Sequence, residues 1–309
     1  MHHLLTLVLV LLTFFIGVSD SLAQRAKGKS RTKAPAVAKQ SARHMLFRVQ
    51  SDSTVVYLMG SVHMLPKSFY PLDTILERSL DSSDVLVLEI KLDPATQMAA
   101  AQKMMSAAML EDGETLESVL DKKTYGQLKA RLKPLGLDVA QLDPFEPWMV
   151  ALTLAGLELK STGFTGELGV DAHFSARASA ESKQLEGLET VEDQLALFDS
   201  MPIETQRVFL QQTLEGRTQT ASVIRRLAEA WRIGDVKSLE KLALSDLRTD
   251  SSFYQRMLVD RNRLWMPKIE SYLADPSRRY LVVVGAAHLL GPDGILAMLR
   301  AKGFEPVQM

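Results

Sequence analysis

An α/β fold, with a mixed central β-sheet flanked by helices, is predicted by three features of this 309-residue sequence. Short runs such as "VLVLEI" (Val85 to Ile90) and "YLVVVG" (Tyr280 to Gly285) are apolar on both faces, as strands at the centre of a parallel sheet are. Segments of helical period stand between those runs. The two ends of the chain also repeat one another. "GSVHMLPKSFYPLDTILERSLDSSDVLVLEI" and "GAAHLLGPDGILAMLRAKGFEPVQM" both read Gly-x-x-His, apolar pair, loop with proline, helix, strand. Pseudo-symmetric β-GxxH-α-β units at the two ends are therefore expected, with a largely helical insertion in the middle.

Taken in order, Leu4 to Val18 is an uncharged apolar run shorter than the ~20 residues a bilayer crossing needs. Ser21 and Ala23 follow at the −3 and −1 positions of a cleavage site, so residues 1–23 read as a signal peptide cut between Ala23 and Gln24. The mature chain is then periplasmic or secreted; an uncleaved segment acting as a membrane anchor is the alternative. Residues 24–40 hold six Lys/Arg, no acid and one large apolar side chain, Val37. Nothing there offsets chain entropy, which makes it a basic disordered linker able to touch an anionic membrane surface weakly. The remainder, 41–309, is mildly acidic within a chain of net charge −1, which argues against a nucleic-acid domain. The absence of cysteine removes disulfides, thiolate ligands and a thiol nucleophile.

Within 41–309, "RHMLFRVQSDSTVVYLMGS" reads as two strands joined at Ser51-Asp52-Ser53. "PLDTILERSL" places Leu72, Ile75, Leu76 and Leu80 on one helical face. The stretch from Asp93 to about Leu159 is helical in pattern, its methionines at a spacing that suits gap-filling in a core. "GELGVDAHFSARASAESKQLEGLET" gives a turn, a helix and a strand. Helices return from Ile203, break at Gly234-Asp235, and resume through "VDRNRLWMPKI" before the last strand–helix–strand.

The chemistry concentrates at strand ends. Ligands in open α/β sheets bind at the carboxyl ends of strands, where His63, Glu89 and His288 fall. The glycine three residues before each histidine is expected to supply a backbone conformation closed to other residues, or a close approach. Glu89 closing an apolar strand needs a cation, a hydrogen-bond network or solvent. Two imidazoles and a carboxylate make a candidate divalent-metal set, for Mn, Co or Zn, with a carboxylate able to take a proton from water. Spacing leaves open whether Glu89 is ligand or base. It also leaves open the plainer reading, in which both histidines cap turns. Arg261 and Asn262 lie on an amphipathic helix, where an arginine is ordinarily solvated or else orients a carbonyl or carboxylate. Asp171 and Asn262 are candidates for contact with substrate. His173 is expected to pair within its own helix start beside Asp171, and His44 to lie at the surface or in a turn.

In order along the chain, "GSVH" at 60–63, "VLEI" with Glu89, "PWM" at 147–149, "GVD" at 169–171, "GLETVEDQLALF" at 187–198, "AWRIGD" at 230–235, "DRN" at 260–262 and "GAAHLLGPDGI" at 285–295 form an ordered set. It resembles the TraB/GumN family, which includes the Tiki metalloproteases and is distantly similar to erythromycin esterases and ChaN-type proteins. The resemblance covers about residues 43 to 309. It implies a metal-dependent hydrolase, most directly a peptidase, with His63 and His288 as metal ligands, Glu89 as the essential acid and Arg261 as a supporting residue. Asp260 departs from the Glu common in relatives but keeps its charge. A peptide or small molecule is then the substrate. The alternative, on the same fold, is a regulatory protein that binds metal, haem or peptide without turnover.

Overall fold

The computed structural model describes residues 43–309 except 92, 216–219 and 246. The predicted signal peptide and basic linker lie outside the described residues. No helix among the described residues is long and apolar enough to cross a membrane.

The apolar runs do form the sheet. Strands β1 (Leu46–Gln50), β2 (Val55–Ser61), β4 (Val85–Leu88), β6 (Gln184–Gly187), β7 (Tyr280–Gly285) and β8 (Val307–Gln308) make one six-stranded sheet in the order β6-β4-β7-β2-β1-β8. Two further strands, β3 (Leu65–Pro66) and β5 (Phe164–Thr165), pair antiparallel in a small second sheet. In the large sheet β6, β4, β7 and β2 are mutually parallel, and β1 alone runs against its neighbours β2 and β8. Every residue of β4 and of β7 is buried, as strands covered on both faces require. Ser51 closes the β1–β2 hairpin, its hydroxyl accepting the N–H groups of Ser53 and Thr54 at 3.1 and 2.9 Å.

The helix Thr74–Asp81 connects β2 to β4 and buries Leu76 and Leu80. Its N-cap is Asp73, whose carboxylate accepts the Ile75 N–H. β2 and β4 do not touch, because β7, arriving some 190 residues after β4, slots between them. That insertion puts the ends of β2, β7, β4 and β6 side by side at one edge.

Three local expectations change. His44 is buried, its N–H bonded to the Met309 carbonyl at 2.6 Å, so it belongs to the joint with the C-terminal residue and not to a turn. The helix Pro94–Ala107 buries Met104 but leaves Met98 68% and Met105 40% exposed, with Met109 just beyond it 46% exposed; only part of that methionine run fills core. Neither GxxH glycine needs an unusual backbone angle. Gly60 lies inside β2, where a Cβ would sit 3.0 Å from the Ala286 Cα, and Gly285 has φ −48°. For Gly60 the reason is close approach.

Candidate functional site

His63 stands two residues past the end of β2 and is 3% exposed. Its Nδ1 lies 2.6 Å from Oδ2 of Asp171, the second residue of the helix Val170–Ala180. The start of that helix is clamped to the same turn, since Val170 N–H donates to the Val62 carbonyl at 3.0 Å. The clamp is tight enough to require glycine at 169, where a Cβ would fall 2.2 Å from the His63 carbonyl oxygen. A carboxylate only accepts, so Nδ1 of His63 carries the proton and Nε2 is left for chemistry. That Nε2, like Ser61 Oγ and Asp171 Oδ1, is buried without a partner. Burial pulls the imidazole's basicity down, but the charge and hydrogen bond of Asp171, with the charge of Glu89, outweigh it and hold the pKa above the ordinary histidine value.

His288 sits in the short helix Ala286–Leu289 that follows β7, fully buried. Its Nδ1 is 2.7 Å from Oδ1 of Asn262. The amide's orientation follows from its nitrogen, which donates to the carbonyls of Asp293 at 2.8 Å and His288 at 3.3 Å. His288 is thereby fixed with its proton on Nδ1 and its lone pair on Nε2. That lone pair faces Arg261, with Nη1 3.0 Å away. Burial, then the charges of Arg261 and His63, push the His288 pKa well below the ordinary value. The Trp265 ring packs against the imidazole at 4.5 Å between centroids.

Arg261 opens the last long helix, Asp260–Ala274, directly after a π-helical turn at Gln255–Val259, a local irregularity often found at functional sites. It is buried, not solvated. Nη2 donates to Glu89 Oε2 at 2.6 Å and to Glu189 Oε1 at 2.7 Å; Nε donates to Glu189 Oε2 at 3.1 Å; Nη1 donates to the Met257 carbonyl at 3.2 Å as well as to His288. All five guanidinium hydrogens are thus committed. Glu89, fully buried, also accepts the Gly285 N–H at 2.7 Å on Oε1 and Gln194 Nε2 at 3.2 Å on Oε2. Burial raises its pKa against the pull of Arg261 and His63.

The edge therefore assembles His63, His288, Glu89, Arg261, Asn262 and Asp171. Asn262 and Asp171, the residues expected to contact substrate, each make a hydrogen bond to one of the histidines. The Asn262 amide is spent on His288 and Asp293, and Asp171 orients His63. His173 does not pair with Asp171 either; its Nε2 is 2.8 Å from Glu77. Glu189 and Gln194 had no predicted role. Glu189 follows β6 as Glu89 follows β4, and its N–H bonds the Glu89 carbonyl at 2.9 Å. A carboxylate closing each of two strands was the available signal. Trp265 completes the setting, its indole N–H donating to Glu189 at 3.0 Å.

These side chains lie under cover. A cleft of about 870 Å³ opens beside Leu289–Pro292, with Arg43, Lys237 and Arg300 on its walls, and none of the convergent side chains lines it. Among the described residues no group of three or more His, Asp or Glu side chains is arranged to hold a metal ion.

Residues 45–308 match the profile of the TraB/PrgY/gumN family. The Escherichia coli protein YbaP, described as uncharacterized, is 25% identical over 244 residues, which span 79% of this chain and 87% of YbaP. The zebrafish protein named Metalloprotease TIKI2 is 23% identical over an alignment of 313 residues, and the human protein named Metalloprotease TIKI1 is 24% identical over 308. Each covers 81% of this chain but only 57% and 59% of the respective relative. No solved structure matches the chain.

Proposed function

The chain belongs to the TraB/PrgY/gumN family, and on that premise we propose that it is a hydrolase acting on peptide bonds, with the His63–Asp171 pair as its acid–base group. One observation carries the reading: a buried imidazole is oriented by a carboxylate at 2.6 Å, while its other ring nitrogen has no partner. A general base needs that arrangement, a fixed tautomer with a basic nitrogen that no other group occupies. The two histidines are also driven in opposite directions, His63 up and His288 down, as happens where one group of a pair handles protons and the other stays neutral.

In the reaction, Nε2 of His63 would take a proton from water as its oxygen adds to the scissile carbonyl. The C–N bond would then break, with the same proton passing to the departing amine. Asp171 holds the imidazolium in place. Arg261, with every N–H occupied, has no donor left for substrate; it positions Glu89, Glu189 and His288.

A second reading, metal-dependent hydrolysis with Mn, Co or Zn on His63, His288 and Glu89, draws support from the relatives named metalloproteases and from the unpaired His63 Nε2. The donors as arranged do not fit an ion, because His288 Nε2 and Glu89 Oε2 are both engaged by Arg261. The non-catalytic alternative, a metal-, haem- or peptide-binding regulator, rests on fold analogy. Export, the Ala23–Gln24 cleavage and contact of the basic linker with anionic lipid are proposed from the sequence. The test is incubation of unstructured peptides with wild type and His63→Gln, read by mass spectrometry of products. Cleavage by wild type that drops by ~10²-fold or more in the variant is expected. Equal cleavage by both, or none by wild type, refutes the reading.

A further inference from the structure

We propose that Arg261 is the resident cation of this edge: its guanidinium fills the space between His288 and Glu89 that a divalent ion would need, and such an ion binds there only when Arg261 is removed. The inference rests on the hydrolytic reading of the same site, and it concerns what supplies the positive charge. It starts from the bonds already described, in which His288 Nε2 and Glu89 Oε2 both receive hydrogens from Arg261, at 3.0 and 2.6 Å. The His288 nitrogen is the one that Asn262 leaves unprotonated, hence the one a metal would use. With both contacts made, His63 Nε2 is the one donor atom of the expected set, His63, His288 and Glu89, left unpaired, and a single member of that set does not hold a divalent ion.

The guanidinium is also unable to step aside. Its two donations to Glu189, a third to the Met257 carbonyl and the face of Trp265, 4.7 Å from the guanidinium carbon, hold it from the remaining sides. A metal entering beside it would bring two positive charges into contact in a dry interior, where such repulsion is poorly screened. The anchors themselves serve this arrangement. Glu189 comes from the end of β6 and Trp265 from one helical turn beyond Arg261, and they hold the cation between two strand-end carboxylates, of which Glu89 is fully buried. A fork-shaped cation suits the place better than lysine, because it satisfies two carboxylates, an imidazole and a carbonyl at once.

The experiment uses the full chain stripped of metal, titrated separately with Mn²⁺, Co²⁺ and Zn²⁺. Wild type is compared with Arg261→Met and with the double variant Arg261→Met/His288→Ala. Wild type is expected to take up no stoichiometric ion at this edge. Arg261→Met should gain one site at least about tenfold tighter than anything in wild type. Its melting temperature should rise on metal addition, because the ion restores a counter-charge to Glu89 and Glu189. The double variant should lose the gain. Should Arg261→Met not fold, ¹⁵N-histidine-labelled wild type decides alone: the His288 Nε2 resonance must stay put in excess Zn²⁺. A zinc-induced shift of that resonance, or a stoichiometric ion lost on His288→Ala in wild type, overturns the proposal; so does an Arg261→Met variant that folds and binds no better than wild type. Peptide cleavage is scored separately, so loss of the hydrolase reading and loss of this inference give different results.

Discussion

Replacing Gly169 by alanine asks whether the contact that carries His63 is as tight as the geometry makes it. Gly169 has an ordinary φ of −62°, so the substitution introduces no backbone strain and acts through the added methyl alone. The new Cβ would lie 2.2 Å from the His63 carbonyl oxygen and 2.7 Å from its carbon, against an ordinary contact of 3.4 Å or more. The two segments must part by roughly 1 Å. They are joined there by the Val170–Val62 bond at 3.0 Å and the His63–Asp171 bond at 2.6 Å, and a parting of that size takes either one past hydrogen-bonding range. Overpacking costs ~1–3 kcal/mol and loss of a charge-assisted bond ~1.5–3 kcal/mol. Because one movement relieves both, ~2–4 kcal/mol is the expected total, or roughly 5–15 °C in melting temperature for a domain of this size. Thermal and urea melts measure it, and the low-field proton resonance of His63 Nδ1–H reports the bond itself. A misplacement of about 1 Å at a base also costs on the order of 10²-fold in rate. A Gly169→Ala protein that melts within a degree of wild type and keeps that resonance would refute the reasoning.

The opposite result is expected at Gly126, inside the helix Lys122–Leu132, where a Cβ meets nothing within 4 Å; Gly126→Ala should add ~0.5–1 kcal/mol in urea melts, and a loss would show a neighbour that the structure lacks. Asp171→Asn should lower the His63 pKa, followed by NMR titration of the ring, because it removes the charge that holds it up, and should cut peptide cleavage by ~10²-fold or more; an unmoved titration curve contradicts the pairing. Asp93 caps the helix Pro94–Ala107, and the Thr96 N–H, then Lys91, hold its carboxyl at about 2, below its ordinary 3.8. Its contribution is therefore full above pH 3.8 and fades as pH falls towards about 2. Asp93→Ala should cost ~1 kcal/mol at neutral pH and progressively less in that acid range, compared by paired urea melts; a difference independent of pH would mean that the charge plays no part.

The strands of the sheet and the two GxxH turns were legible because burial on both faces leaves an unbroken apolar run, and because the end of such a run is where a polar residue must be explained. Glu89 stood out for that reason, and so did both histidines. Side-chain partners were hidden. His63 meets Asp171 across 108 positions and Arg261 meets Glu89 across 172, the first where the helix Val170–Ala180 docks on the turn after β2 and the second where the helix Asp260–Ala274 meets the end of β4. Nothing local encodes either meeting. For Arg261 the amphipathic helix left both a solvated and an orienting role open, and what decides between them, the burial made possible by Glu89, Glu189 and Trp265, comes from elsewhere in the chain. For His173 the expected network lay within its own helix start, whereas the helix Thr74–Asp81 supplies Glu77 from the other side. For Glu189 the cue was present but sat at a weaker strand, β6, whose residues are partly exposed.

The joint between residues 44–46 and Met309 carries a consequence for handling the protein. His44 bonds the Met309 carbonyl, Met309 N–H bonds the Leu46 carbonyl at 2.9 Å, and Met45 receives the Gly60 N–H at 2.7 Å, one residue before β2 ends. Because β1 runs against β2, residue 43 and the C-terminal methionine both emerge at the end of the sheet where His63, Glu89 and His288 lie. An affinity tag, a fluorescent fusion or a surface linkage on Met309 would stand beside the edge that carries these side chains, and a domain immobilised there would turn that edge towards the support. A reporter meant to leave the edge open is better inserted in the turn between β1 and β2, where exposed Asp52 and Ser53 mark the opposite end of the same hairpin.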